Sequence, residues 1–279
     1  MALKLLHNED MMALYYESLL GLEDHRSTLE DGDNVVKGEH FAASFGLEDL
    51  LAKFIEEGRN NVESRDSRGQ TPLFFAVARG WDKLVKLFLN SRASLHAVDD
   101  LDRPSLQAAI NARHNSRLAM VDLLLNNNAD IEARNSGGKT PLSSAVGLTD
   151  RAMVMHLLNR GAKIESQDIH SSGPLAKTAE LGCVKIPELL LNNGAAIEAE
   201  YKRKSRPLHG ASAFGRYEMC KLLFERGANI ETRNNGLETP LHIACDPSSF
   251  GVWLRNPEHL RQVVELVSTG ALTWKLETQ

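Results

Sequence analysis

The side chains best equipped for chemistry in this sequence are ten histidines, three cysteines and a few adjacent carboxylates. His242-Ile243-Ala244-Cys245 together with His259 offers donors of the kind a zinc ion accepts, but no fourth ligand follows at a diagnostic spacing. Glu56-Glu57 and Asp99-Asp100 are carboxylate pairs of the sort acid–base catalysis uses, yet they fall at expected helix ends or turn bases, where charge is simply solvated. A glycine-rich phosphate loop, His-Glu-x-x-His and Gly-x-Ser-x-Gly are all missing from the sequence. The expectation is a non-enzyme with no catalytic, cofactor-binding or metal-binding residue. What stands out is charge: Tyr201-Lys202-Arg203-Lys204-Ser205-Arg206 is the densest cationic run in the chain.

Composition narrows the classes further. The chain has 279 residues, 42% hydrophobic, 25% charged and 6% aromatic, which suits a core of small aliphatic side chains. The net charge of −5 is unevenly placed: residues 1–64 hold 5 Lys/Arg against 14 Asp/Glu (−9), and residues 65–279 hold 27 against 23 (+4). Neither half is basic enough for non-specific nucleic-acid binding, which needs many phosphate contacts. Cys183, Cys220 and Cys245 are odd in number and irregular in spacing, so no disulfide framework is expected. A reducing compartment fits, hence a cytoplasmic location with nuclear entry left open. The N-terminus lacks a basic start with an unbroken apolar run, and no stretch reaches the ~18 apolar residues of a membrane span.

The elements that must position these groups follow from a period. Pro72, Pro104, Pro141, Pro174, Pro207 and Pro240 are spaced 32, 37, 33, 33 and 33 residues apart. A second marker agrees: Ala129-Asp130-Ile131-Glu132, Ala162-Lys163-Ile164-Glu165, Ala195-Ala196-Ile197-Glu198 and Ala228-Asn229-Ile230-Glu231 recur every 33 residues. Within one period, Thr71 can cap a helix whose first residue is Pro72, where a missing amide hydrogen costs nothing. Gly80 ends that helix, and the apolar face of Asp82 to Leu89 predicts a second, antiparallel one. Asp66-Ser67-Arg68-Gly69 supplies a tight turn. Such a unit is too small to bury its own apolar face and is stable only when stacked.

The anchors Asp66…Gly69-Gln70-Thr71-Pro72-Leu73, Asn135…Gly138-Lys139-Thr140-Pro141-Leu142 and Glu238-Thr239-Pro240-Leu241-His242 resemble the ankyrin repeat. The resemblance spans residues 38–272 and implies an all-α fold: an α-solenoid of stacked helix pairs with projecting β-hairpin fingers, and a role in protein recognition. Seven units are expected, starting near Gly38, Asp66, Asp99, Asn135, Asp168, Tyr201 and Asn234. The resemblance also gives His209 and His242 a structural task, hydrogen-bonding neighbouring fingers together.

The array is uneven. The first unit lacks the Thr-Pro-Leu anchor. Measured from its proline, the second helix begins four residues late in the third unit, around Asn111 to Arg117, and eleven late in the seventh, in Asp246 to Pro257. The latter insertion carries Phe250 and Trp253, and reads either as a cover for the last repeat's core or as a binding element. Arg103, Gly173 and Arg206 stand where a capping threonine is expected, each weakening its helix by ~1 kcal/mol. Pro187 falls inside a second helix but near its first turn. Residues 1–37 form a predicted amphipathic helix and an acidic run, either a cap on the array or the edge of an upstream domain; residues 273–279 are a tail.

In the family this sequence resembles, partners lie on the concave face made of finger tips and first helices. Transferred by position, the partner-binding set is Arg68, Gln70, Arg79, Trp81, Lys139, His170, Lys202, Arg203, Phe214, Tyr217 and Arg233. The fingers are mostly basic, so the expected partner is another protein offering an acidic or phosphorylated segment, bound by a monomer acting as adaptor or scaffold with no cofactor. Two other readings remain open: a regulatory or inhibitory subunit of an enzyme, and an unorthodox enzyme using a cavity beneath residues 246–257.

Overall fold

The computed structural model describes residues 38–56, 61–245 and 261–269. The predicted N-terminal helix, Glu57, the insertion from Asp246 to Pro257, His259 and the tail from 273 lie outside the described residues. The chain divides into two compact units, Met1–Ser136 and Gly137–Gln279.

In the first unit, α1 (Gly38–Phe45), α3 (Pro72–Arg79) and α5 (Ser105–Asn111) pack one on the next, while α2 (Glu48–Glu56) packs on α4 (Asp82–Asn90); α6 (Arg117–Asn126) pairs with α5. Local chemistry sets the ends of α3. Thr71 Oγ1 accepts the Phe74 amide at 3.4 Å, Pro72 occupies the first turn, and Gly80 closes the helix with a φ of +79° that other residues adopt only under strain. Leu84, Val85 and Phe88 share the inward face of α4 and are closed to solvent, as are Ala42, Leu51, Leu73, Val77, Ile110, Met120 and Leu124. Burial of each such leucine contributes about 1.5–3 kcal/mol, which a lone helix pair could not collect.

The third unit's extra residues have a structural task. His114 lies over Gly80, where an added Cβ would come within 2.8 Å of the imidazole, and its Nε2 faces the Val77 carbonyl at 3.3 Å. The insertion thereby fastens itself to the end of α3.

The second unit repeats the plan with α7 (Pro141–Gly147), α8 (Arg151–Asn159), α9 (Pro174–Leu181), α10 (Lys185–Asn192), α11 (Pro207–Ala213), α12 (Tyr217–Glu225), α13 (Pro240–Cys245) and α14 over residues 261–269. Helices α7, α9, α11 and α13 stack in order, and α8 packs on α10. Each unit is thus an α-solenoid. Leu142, Met153, Leu157, Leu190, Cys220, Leu223 and Val263 are sealed inside. Pro187 is the third residue of α10, where its missing amide hydrogen leaves no intrahelical bond unmade.

The fingers are turns more than ribbons: among the described residues the only pairing of strand type is two isolated antiparallel bridges, Val98 with Pro104 and Tyr201 with Ser205. Most are closed by a side chain. Asp66, Asp99, Asp168 and Asn234 each accept, through Oδ1, the amides two and four residues ahead at 2.7 to 3.1 Å. Consecutive fingers then join through the backbone, with Asp100 donating to Arg68 and Ser136 to Leu101 in the first unit, and Ile169 to Gly137 and Asn235 to Arg203 in the second.

The three positions lacking a threonine cap behave differently from one another. Arg103 is not a cap at all, because α5 starts one residue later with Pro104 as its N-cap; the arginine instead binds Asp99, Nε at 2.8 Å, and lies over the Phe74 ring. Burial raises the Asp99 carboxyl, but the Arg103 guanidinium and the turn amides outweigh it and hold the carboxyl below its usual range. Gly173 makes no cap bond. Arg206 offers its amide to His209 Nδ1 at 3.2 Å, so the histidine completes the turn that the missing hydroxyl would have closed.

Candidate functional site

The sixth finger departs from the others at its first residue. Tyr201 stands where the Asp or Asn of the other fingers closes the turn, and a phenol cannot accept two amides from that position. The finger is held instead by the backbone, Tyr201 donating to Ser205 at 2.9 Å and Ser205 to Lys202 at 3.2 Å. Arg203 and Lys204 take left-handed φ values of +60° and +55°.

Two consequences follow. First, the finger has lost its own carboxylate. The Lys202, Arg203 and Lys204 side chains are exposed and make no ion pair or hydrogen bond among the described residues. Arg206 is different: it stands 3.2 Å from Glu198 and 3.1 Å from Glu200, so its charge is offset.

Second, the Tyr201 ring turns onto α11, its hydroxyl oxygen 2.6 Å from where a Cβ on Gly210 would be. Tyr201, Gly210 and Phe214 share a pocket of about 610 Å³ with Lys202, Arg203 and His170. Two carboxylates also line it. Glu180 is paired with Lys177, and Glu238 accepts from Asn234 Nδ2 at 2.9 Å. Burial pushes the Tyr201 phenol well above its usual range and the Glu180 carboxylate adds to the effect, so the group stays a neutral hydroxyl.

Of the sequence-predicted partner residues, His170, Lys202, Arg203 and Phe214 meet at this pocket. Tyr217, half-buried at the start of α12, does not line it. Arg233 turns back on its own finger, donating to the Leu237 carbonyl at 3.4 Å, and Lys139 is exposed but already engaged within the protein. Arg68, Arg79 and Trp81 belong to the first unit; Trp81 is 40% exposed and lies against Gly46, with 3.0 Å from its indole to a Cβ placed there. Gln70 is corrected outright. It is 8% exposed, its Nε2 faces Asp99 at 3.5 Å, and its carbonyl accepts from His40 at 2.9 Å, so it holds finger to helix and offers nothing to a partner. Sequence reasoning passed over Gly210 and the role of Tyr201, although the break in the Asp/Asn series at position 201 was visible.

The other reactive groups are occupied structurally. His209 Nε2 faces the Glu238 carbonyl at 3.1 Å and ties α11 to the seventh finger, whereas His242 binds Thr239 Oγ1 at 2.7 Å within its own turn. Cys183, Cys220 and Cys245 are free thiols. Burial pushes Cys220 up to about 12 and raises Cys183, the reverse of what an activated nucleophile needs. Among the described residues no group of three or more His, Cys, Asp or Glu is placed to hold a metal ion, and no helix is long and apolar enough to cross a membrane.

The family model for ankyrin repeats (3 copies) matches residues 40–135, 142–234 and 175–252, which together cover most of the chain. The chain belongs to the ankyrin-repeat family. Among solved structures it is similar to the ankyrin repeat domain of Bcl-3, described as a unique member of the IkappaB protein family, with a TM-score of 0.70 and 28% identity over 86% of this chain and 100% of that one. It also shares its fold with the human ASB11 ankyrin repeat domain, at a TM-score of 0.66 and 23% identity over 83% and 97% of the two chains. Neurogenic locus notch homolog protein 1 from Homo sapiens is 31% identical over 103 residues, and that from Danio rerio 31% over 106. Those matches take in 37% and 38% of this chain, which spans only 4% of the length of either relative. Ankyrin-repeat domains mediate protein–protein interaction, through surface positions that vary on a shared scaffold.

Proposed function

We propose that this chain is a protein-interaction module, an adaptor that works as a monomer, whose second unit holds an acidic segment of a partner protein along its finger and first-helix face. The observation that carries this reading is the sixth finger, where Lys202, Arg203 and Lys204 stand without a carboxylate beside a pocket walled by Tyr201 and Phe214. Three unpaired cations on one turn raise the encounter rate with an acidic chain, and the aromatic walls supply desolvated contact once it arrives. Other cations of the second unit are offset by carboxylates, Arg206 by Glu198 and Glu200 and Arg226 by Glu188 at 3.9 Å. A cytoplasmic setting agrees with the free thiols.

The test is fluorescence anisotropy with a labelled synthetic peptide alternating Glu and Gly around one Leu. Replacing Lys202, Arg203 and Lys204 together by Ser should weaken binding by about tenfold at low salt, with a smaller difference once salt screens the charges. Equal affinity of wild type and variant would overturn the reading.

A further inference from the structure

We propose that Gly210 sets the specificity of this site by leaving a socket for one large apolar side chain of the partner, placed next to the acidic residues that the sixth finger attracts. The inference rests on the acidic-segment reading above and adds the residue that must accompany the acids.

The position three residues after the anchor proline can be compared across the six repeats that have one. It is Phe75, Gln107, Ser144, Lys177 and Ile243 in the others, and glycine only at 210. Absence of a side chain lets the Tyr201 ring fold down against α11, with the Cβ of Ala179 closing the other side at 3.3 Å from the ideal Cβ of residue 210. The space a side chain would take at 210 is thus filled by the phenol, and the pocket beside it is lined by Tyr201, Phe214 and Ile243. A volume of about 610 Å³ exceeds what a single water or ion would fill and sits within the usual range for sites that enclose an organic group.

The chemistry of the lining selects the occupant. The aromatic and aliphatic part of the lining, Tyr201, Phe214 and Ile243, favours Leu, Met or Phe over a polar residue. Glu180 and Glu238 in the lining repel a carboxylate, while Lys202 and Arg203 at the finger attract one. The Tyr201 hydroxyl, which has no hydrogen-bond partner among the described residues, is free to donate to a carbonyl of the incoming chain. An apolar residue flanked by acids is the segment that satisfies all of these groups together.

The test uses the full chain and four labelled peptides that share one Glu/Gly frame and differ only at a central residue: Gly, Ala, Leu or Phe. A second set replaces every Glu by Gln. On the wild-type protein the Leu and Phe peptides should bind about tenfold tighter than the Gly peptide. In Gly210→Ala the new methyl displaces the phenol into the socket, so the advantage of Leu and Phe should vanish while the Gly peptide binds as before. The Lys202/Arg203/Lys204→Ser variant should weaken all four by a common factor and keep the advantage. If the central residue makes no difference on wild type, the socket is overturned and the acidic reading stands. If the Gln set binds as tightly as the Glu set but keeps its preference for Leu, the acidic reading is overturned and the socket stands. No binding by any peptide overturns both. The wild-type comparison decides the matter even if Gly210→Ala does not fold.

Discussion

His209 uses both of its ring nitrogens: Nδ1 accepts the Arg206 amide of its own repeat at 3.2 Å, and Nε2 donates to the Glu238 carbonyl of the next at 3.1 Å. Both bonds require the neutral ring in a single tautomer. His40 makes the matching reach in the first unit, to the Gln70 carbonyl at 2.9 Å.

The buried His209 resists protonation. Burial lowers its pKa below the ordinary 6.5, helped by the nearby Arg206 charge and opposed by the bond to Glu238. The unfolded chain therefore takes up the proton first, and stability is full above about pH 6.5 and declines as the pH falls below it. His209→Ala should cost about 1–2 kcal/mol at neutral pH by orphaning two part-buried backbone groups, and should flatten this acid dependence. Urea melts at a series of pH values check both.

Thr140 caps α7, its Oγ1 accepting the Ser143 amide at 3.3 Å. Thr140→Ala should lower stability by about 1 kcal/mol, whereas Thr140→Gly, which leaves the cap amides open to water, should lower it by only a few tenths. Paired urea midpoints measure the difference.

Leu237 sits at the tip of the seventh finger with a φ of +60° and 69% of its surface exposed. Its side chain gives little back for that strained backbone. Leu237→Gly should stabilise the protein by roughly 0.5–1 kcal/mol, the left-handed penalty less the entropy glycine adds to the unfolded chain. Thermal melts would show it as a rise in Tm.

The helical solenoid was legible because it is written in repeated anchors: Thr-Pro at helix starts, Gly80 at a helix end, apolar residues at the spacing of one face. The third unit's insertion was legible as a count, but not as a contact, since nothing in the sequence says that His114 will lie over Gly80. The finger and first-helix positions were legible in outline from the period. The error at Gln70 arose because a polar finger residue can be consumed by the next finger's Asp99, a long-range contact that position alone does not reveal. Arg233 differs, since its contact is local, with the Leu237 carbonyl of its own finger. Gly210 drew no notice because a glycine inside a helix reads as a weakness, and the sequence does not say that the Tyr201 ring will lie against it.

Tyr201→Asp would give the sixth finger the turn-closing carboxylate that Asp66, Asp99 and Asp168 provide in theirs, and would remove the aromatic wall. Affinity for the acidic Leu peptide should fall by about tenfold or more, with a shallower salt dependence, because one negative charge then faces Lys202 and Arg203. Tyr201→Phe, which keeps the wall and loses only the hydroxyl, should fall much less. Anisotropy titrations across salt concentrations separate the two.

The location of the site is tested most directly by amide chemical-shift mapping of the isotopically labelled protein with the acidic Leu peptide. The largest, saturable shifts are expected at Tyr201 to Arg206 and Gly210 to Phe214, with the amides around Arg68 to Trp81 unchanged. Saturable shifts centred on the first unit, with residues 201–214 silent, would contradict the account.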